Sequence, residues 1–107
     1  MSEVKILEMS EAPPENEGKQ VNFDHPFTTY PYTLGIFHVK DRYFAITDEC
    51  KACGNSLGKG KLNGMYVSCI MEEHPWNVKS GICKYNRTLV TPTYRVTVKE
   101  DGIYVEI

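Results

Sequence analysis

Cys50-Lys-Ala-Cys53-Gly-Asn-Ser-Leu57-Gly-Lys-Gly-Lys61-Leu-Asn63-Gly64-Met-Tyr-Val-Ser68-Cys69-Ile-Met-Glu-Glu-His74 is the stretch on which the reading of this chain turns. Its centre, Lys61 to Ser68, reads as a short β-hairpin. Its flanks carry metal ligands, Cys50 and Cys53 on one side and Cys69 and His74 on the other. A hairpin reverses the chain, so both flanking loops are expected at the same end of a β scaffold. Three thiolates and one imidazole gathered there suit zinc or an iron-sulfur cluster; calcium and magnesium want oxygen. A structural thiol needs neither a partner at a two-residue interval nor a second loop ending in histidine. The bland alternative, in which Cys53 and His74 are ordinary loop residues and nothing binds, leaves that spacing without a cause.

The chain is 107 residues long, which implies a single domain over 1–107 with one modest core that a bound cofactor would help to stabilise. A formal net charge of -2 with scattered lysines argues against a nucleic-acid footprint. Met1 to Glu8 contains acids and no sustained apolar run, so it reads as neither a secretory signal nor a membrane span. The expected setting is cytoplasmic and reducing, where four cysteines indicate metal or redox chemistry before they indicate a disulfide frame.

Outward from the two loops the pattern is β throughout. Val4 to Leu7 reads as a short strand, and Glu11 to Gly18, with Pro13-Pro14 and interspersed acids, as a surface loop without core residues. Leu34 to Thr47 reads as a hairpin turning at Lys40-Asp41, β-branched and aromatic on both sides. Lys61 to Ser68 is a second hairpin, for which Asn63-Gly64 predicts a type I′ turn. Tyr94, Val96 and Val98 alternate with polar residues, Asp101-Gly102 turns, and Ile103, Val105 and Ile107 alternate on the return. No long segment keeps a helical period. The expected fold class is all-β, a small sandwich or barrel with its cluster-loop region at about 48–81.

In the first loop, Gly54, Gly58 and Gly60 are expected to bring backbone N-H groups near a thiolate or sulfide, where such donors tune a reduction potential. In the second, Pro75 is expected to stiffen the exit.

The chain resembles the Rieske ferredoxin family nearly end to end. The resemblance runs through Val4-Lys-Ile-Leu-Glu-Met-Ser-Glu-Ala-Pro, Tyr43-Phe-Ala-Ile-Thr-Asp-Glu-Cys50, Leu57-Gly-Lys-Gly-Lys-Leu-Asn-Gly64 and Tyr94-Arg-Val-Thr-Val-Lys-Glu-Asp-Gly-Ile-Tyr-Val-Glu-Ile107. The family pattern is Cys-x-His in one loop and Cys-x-x-His in the other, with the cysteines on one iron and the histidines on its neighbour. Cys50 and Cys69 fall on the cysteine positions, whereas Ala52 and Glu72 stand where the histidines would be. Cys53 lies one residue beyond the first of these and His74 two beyond the second. Trp76, Asn77 and Gly81 keep the family's spacing from Cys69. The resemblance thus implies a [2Fe-2S] cluster held by Cys50 and Cys69 on one iron and by Cys53 and His74 on the other. An extra thiolate adds negative charge and implies a potential below that of the two-histidine type.

The function implied is that of a one-electron carrier and not of an enzyme, because no nucleophile, base and oxyanion constellation is present. A reductase would supply electrons and a terminal oxygenase or similar redox enzyme would take them. The carrier is expected to be a monomer with no nucleic acid or membrane partner, docking where His74, Pro75 and Trp76 approach the surface, with Glu72 and Glu73 steering a basic partner. Glu72 is a possible oxygen ligand if His74 is dispensable. Trp76 reads foremost as a core plug beneath the loops, and Cys83 as a buried small hydrophobe outside the ligand set. His25 reads as an exposed loop residue, and His38 as solvent-facing or satisfied by hydrogen bonding. Two other readings stay open: a mononuclear zinc or iron module on the same four residues, and a clusterless partner subunit resembling the small subunit of assimilatory nitrite reductase. A thiol-disulfide catalyst ranks last, since no helix follows Cys50 to lower its pKa.

Overall fold

The computed structural model describes residues 3–50, 54, 56–69 and 74–107. Among these the chain forms strands β1 (Glu3–Glu8), β2 (Glu17–Asp24), β3 (Pro31–Val39), β4 (Arg42–Thr47), β5 (Lys61–Asn63), β6 (Tyr66–Ser68), β7 (Pro75–Asn77), β8 (Thr93–Tyr94), β9 (Val96–Lys99) and β10 (Gly102–Glu106). One short 3-10 turn, Met9–Glu11, follows β1. Three antiparallel sheets result, ordered β1-β10-β9, β2-β3-β4-β8 and β5-β6-β7.

The sheet β2-β3-β4-β8 lies between two cores, and the side-chain alternation of β3 shows how. Leu34 and Ile36 pack with Leu7, Val21, Ala45, Ile103 and Val105, toward the terminal strands. Phe37 and Val39 point the other way and pack with Ile46, Leu57, Val67, Trp76 and Val78, beneath the ligand loops. A strand covered on both faces reads as a nearly continuous apolar run, because both alternating sets must leave water. This is why the Leu34–Val39 segment is legible in the sequence at all. Burying side chains of this size contributes about 1.5–3 kcal/mol each relative to exposure, so the second core gives the ligand loops a firm floor.

The three expected hairpins form, with different turns at two of them. Lys40 and Asp41 both have positive φ, 48° and 65°, and join Val39 to Arg42 as a two-residue I′-type connection. At the second hairpin the register pairs Asn63 with Tyr66, so the central residues are Gly64 and Met65, not Asn63 and Gly64. Only Gly64 has positive φ, 63°, which is the II′ pattern and needs glycine at the first position alone. At the third, Gly102 pairs with Lys99 and belongs to β10, leaving Glu100 and Asp101 as the turn. Gly102 is there because β1 passes close: a Cβ on it would lie 2.2 Å from the Leu7 carbonyl oxygen.

Two further expectations are corrected. The Glu11 to Gly18 segment ends inside β2, a strand whose polar-rich sequence carries little alternation, and its Pro13 is buried while Ala12 packs on the core. His25 is 8% exposed and not an open loop residue; its Nδ1 accepts from the backbone N-H groups of Phe27 and Thr28 and so closes the β2–β3 connection. His38 is satisfied as expected, with Nδ1 3.0 Å from the Pro13 carbonyl and its ring stacked on Tyr43. Among the described residues no helix is long and apolar enough to cross a membrane.

Candidate metal centre

The second ligand loop is built by its ladder. Ser68 pairs with Pro75 at the end of the β6–β7 ladder, so Cys69 and His74 are the first and last residues of the connection between those strands and must lie side by side. Cys69 Sγ is 4.0 Å from His74 Nδ1. Pro75 opens an edge strand, where its missing N-H costs no ladder bond, and its carbonyl accepts from the Lys84 N-H at 2.8 Å.

The first ligand loop is held by Asp48, a residue for which the sequence offers only the signal of an acid at the end of an apolar strand. Asp48 is 8% exposed. Its Oδ1 accepts from the Gly58 N-H, and its Oδ2 accepts from Gln20 Nε2 and Ser56 Oγ, each at 2.6 Å. One carboxylate therefore ties the start of the loop to its far side and to β2. Gly60 then passes so near β6 that a Cβ on it would lie 2.0 Å from the Ser68 carbonyl oxygen. Close packing of the two loops requires glycine at this point.

These constraints bring Cys50, Cys69 and His74 together, with their ligand atoms all within 4.8 Å of one another. Both thiols are buried and the imidazole is partly buried. Trp76 from β7 is fully buried beneath them, and its indole Nε1-H donates to Cys50 Sγ at 3.3 Å. A tetrahedral ion with bonds of about 2.0–2.3 Å spaces its donors by about 3.5–3.8 Å, so modest side-chain adjustment suffices for shared coordination. Two soft thiolates and an imidazole, backed by the apolar Leu57, Val67 and Val78, fit an iron-sulfur group or a thiophilic ion by the chemistry of the donor set.

Cys53, Ala52, Glu72 and Glu73 lie outside the described residues. Among the described residues, Gly54 N-H donates to the Cys50 carbonyl, Gly58 N-H to Asp48 and Gly60 N-H to the Leu57 carbonyl, while the other backbone N-H groups expected near a thiolate belong to residues 51–53 and 55, outside the described residues. Those three donors close the loop's own turns, and the indole of Trp76 is a donor to Cys50 Sγ. Trp76 is fully buried, so it does not reach the surface as a docking residue and is the core plug; Pro75 is largely buried and still forms part of the wall of a surface groove. Cys83 is fully buried in the same core, as expected.

No family model matches the chain. Ferredoxin CarAc of Metapseudomonas resinovorans is 30% identical over 73 residues, covering 67% of this chain and 68% of that protein. Among solved structures, one chain from the complex of reduced oxygenase and oxidized ferredoxin in carbazole 1,9a-dioxygenase superposes with a TM-score of 0.76 at 24% identity, over 96% of this chain and 91% of that one. A protein described as a nitrite reductase NADPH small subunit superposes with a TM-score of 0.80 at 19% identity, over 100% of both chains. At these identities the two structural likenesses speak to the fold alone.

Proposed function

The chain belongs to the Rieske-type ferredoxin family, and from that premise we propose that it is a one-electron carrier serving an oxygenase or similar redox enzyme. The observation that carries this reading is the convergence of Cys50, Cys69 and His74 within 4.8 Å at one end of the scaffold. Cys50, Cys69 and His74, with Cys53 as the fourth donor, would hold a [2Fe-2S] cluster. Such a cluster supplies reversible acceptance of single electrons at a potential set by its ligands and their hydrogen bonds.

The chain's own residues do the rest. Asp48 holds the first loop in register, and the Ser68–Pro75 pairing holds Cys69 beside His74. Trp76 walls off the interior side and donates a hydrogen bond to Cys50 Sγ. Leu57, Val67 and Val78 keep water from that side. Among the described ligands His74 is the one nearest solvent, since Cys50 and Cys69 are buried.

Anaerobic purification with visible absorption and parallel iron, acid-labile sulfide and zinc analysis tests the reading. Two irons and two sulfides per chain, with a spectrum bleached by dithionite and altered in Cys53→Ser and His74→Ala, support it. Zinc alone would replace it with a structural metal module. A second reading, a clusterless partner subunit, draws on the end-to-end superposition with the nitrite reductase small-subunit protein. A folded, colourless, metal-free chain indifferent to both substitutions would favour it.

A further inference from the structure

A groove of about 700 Å³ opens directly beside the candidate centre, and Cys69 forms part of its wall. Lys61 of β5, Tyr66 and Ser68 of β6, and Lys84 and Tyr85 of the segment after β7 complete the part that matters. None of its described lining residues is acidic, although the chain as a whole carries a net charge of -2. Lys84 is placed by two features. Its backbone N-H is tied to the Pro75 carbonyl at 2.8 Å, and its Nζ sits 5.2 Å from the Tyr66 ring centroid and 6.0 Å from that of Tyr85. A cation resting on aromatic faces keeps its charge available to an incoming anion while losing little side-chain freedom. Tyr85 itself is 76% exposed, and Arg87 lines an adjoining notch with Tyr66 and Lys84. Tyrosine and arginine are residue types enriched at protein interfaces, and Lys61 and Lys84 add positive charge beside them.

We infer that this groove is the docking surface for the electron-transfer partner, and that the partner presents an acidic segment to Lys61, Lys84 and Arg87 with Tyr85 as the apolar anchor. The inference rests on the carrier reading for its purpose, because a partner seated here lies against Cys69, one of the proposed ligands. It commits to an acidic protein surface on grounds of charge complementarity. It differs from the basic partner expected from Glu72 and Glu73, which lie outside the described residues.

The test uses two small oxidants of opposite charge, ferricyanide and hexaamminecobalt(III), on the dithionite-reduced holoprotein followed by stopped flow. Ferricyanide stands in for the acidic partner. Lys61→Glu combined with Lys84→Glu should slow ferricyanide oxidation about tenfold at low ionic strength, speed the cobalt reaction, and shift the salt dependence of the ferricyanide rate toward acceleration by added salt. Lys40→Glu, on the β3–β4 turn away from the groove, should change neither rate appreciably. Equal effects from Lys40→Glu and from the groove substitutions, or none from either, would overturn the docking site and leave the carrier reading intact. A chain with zinc or no metal is diamagnetic, and line broadening of its amide signals by hexacyanochromate(III) then locates the anion surface. Broadening centred on Lys61, Ser68 and Lys84 and lost in the double variant would keep the acidic-ligand groove while the carrier reading fails. Broadening centred elsewhere would overturn the groove as well.

Discussion

Trp76 donates its indole N-H to Cys50 Sγ at 3.3 Å from a fully buried position, so the thiolate proposed as a ligand has a fixed hydrogen-bond donor on its interior side. Such a bond strengthens as the sulfur gains negative charge, and it therefore favours a reduced centre over an oxidised one.

Trp76→Phe keeps most of the ring volume and removes that donor. The reduction potential of the holoprotein is expected to fall by about 30–60 mV, the one-electron equivalent of a bond contributing about 0.7–1.4 kcal/mol more to the reduced state. Protein-film voltammetry of the two proteins checks it. An unchanged potential with intact folding would mean the indole acts only through packing.

Asp48 joins the ligand loop to β2 through three hydrogen bonds, from Gly58, Gln20 and Ser56. Asp48→Ala strands these donors in a mostly buried setting and should cost about 2–4 kcal/mol. Because Cys50 lies two residues on, the same variant should also lose metal to a chelator faster than the parent chain. Guanidinium unfolding and the time course of metal release are the two readouts.

Gly60 and Gly64 flank the same hairpin strand yet should respond differently to alanine. At Gly60 a methyl would meet the Ser68 carbonyl oxygen 2.0 Å away, backbone against backbone, and the expected loss is about 3 kcal/mol or more. At Gly64 nothing lies within 4 Å, and the cost is that of a φ of 63° alone, about 1–2 kcal/mol. Denaturant midpoints of the two variants compared side by side decide it; equal losses would contradict the close approach of the loops.

Metal removal should lower thermal stability, since the ligand loops share a core with β3 and β4 and binding to the folded state alone adds to its stability. The shift should disappear in Cys50→Ser and Cys69→Ser, which lose the donors at the centre of the set. Scanning calorimetry before and after chelation measures it.

The terminal sheet carries a pH dependence separate from the metal site. A hydrogen bond from Lys99 holds the Glu3 carboxyl below its ordinary pKa, and one from Tyr104 does the same for Asp101. Hydrogen bonding to Glu8 raises the Lys5 ammonium, and bonding to Glu3 raises that of Lys99. Lowered carboxyls contribute stability present above about pH 4 and lost as pH falls through their folded values. Raised ammonium groups contribute below about pH 10 and lose it as pH rises through theirs. Glu3→Gln should therefore flatten the acid limb of a stability profile slightly, and high salt should shrink the difference, because these groups are solvent-accessible.

Much of this was open to reading from composition and order. The Leu34–Val39 run announces a strand buried on both faces, and the alternation of Ile103 and Val105 announces a strand with one face in a core. By contrast β2, from Glu17 to Asp24, buries Val21 alone among its residues and looks like polar loop; it becomes a strand because β3 offers it a full ladder. Turn positions also escaped. An Asn-Gly pair permits more than one register, and pairing across the strands chose the one that places Gly64 first.

That the chain is built of β-hairpins, and that Cys50, Cys69 and His74 flank one of them, follows from residue type and spacing, which are local properties. Which groups touch emerges with the packing of the sheets: Asp48 reaching Gln20 and Gly58, Trp76 reaching Cys50, Lys84 resting on Tyr66 beside Cys69. Those contacts join residues that are distant along the chain or on separate strands. They exist because two cores bring the sheets together, and no local pattern encodes that meeting.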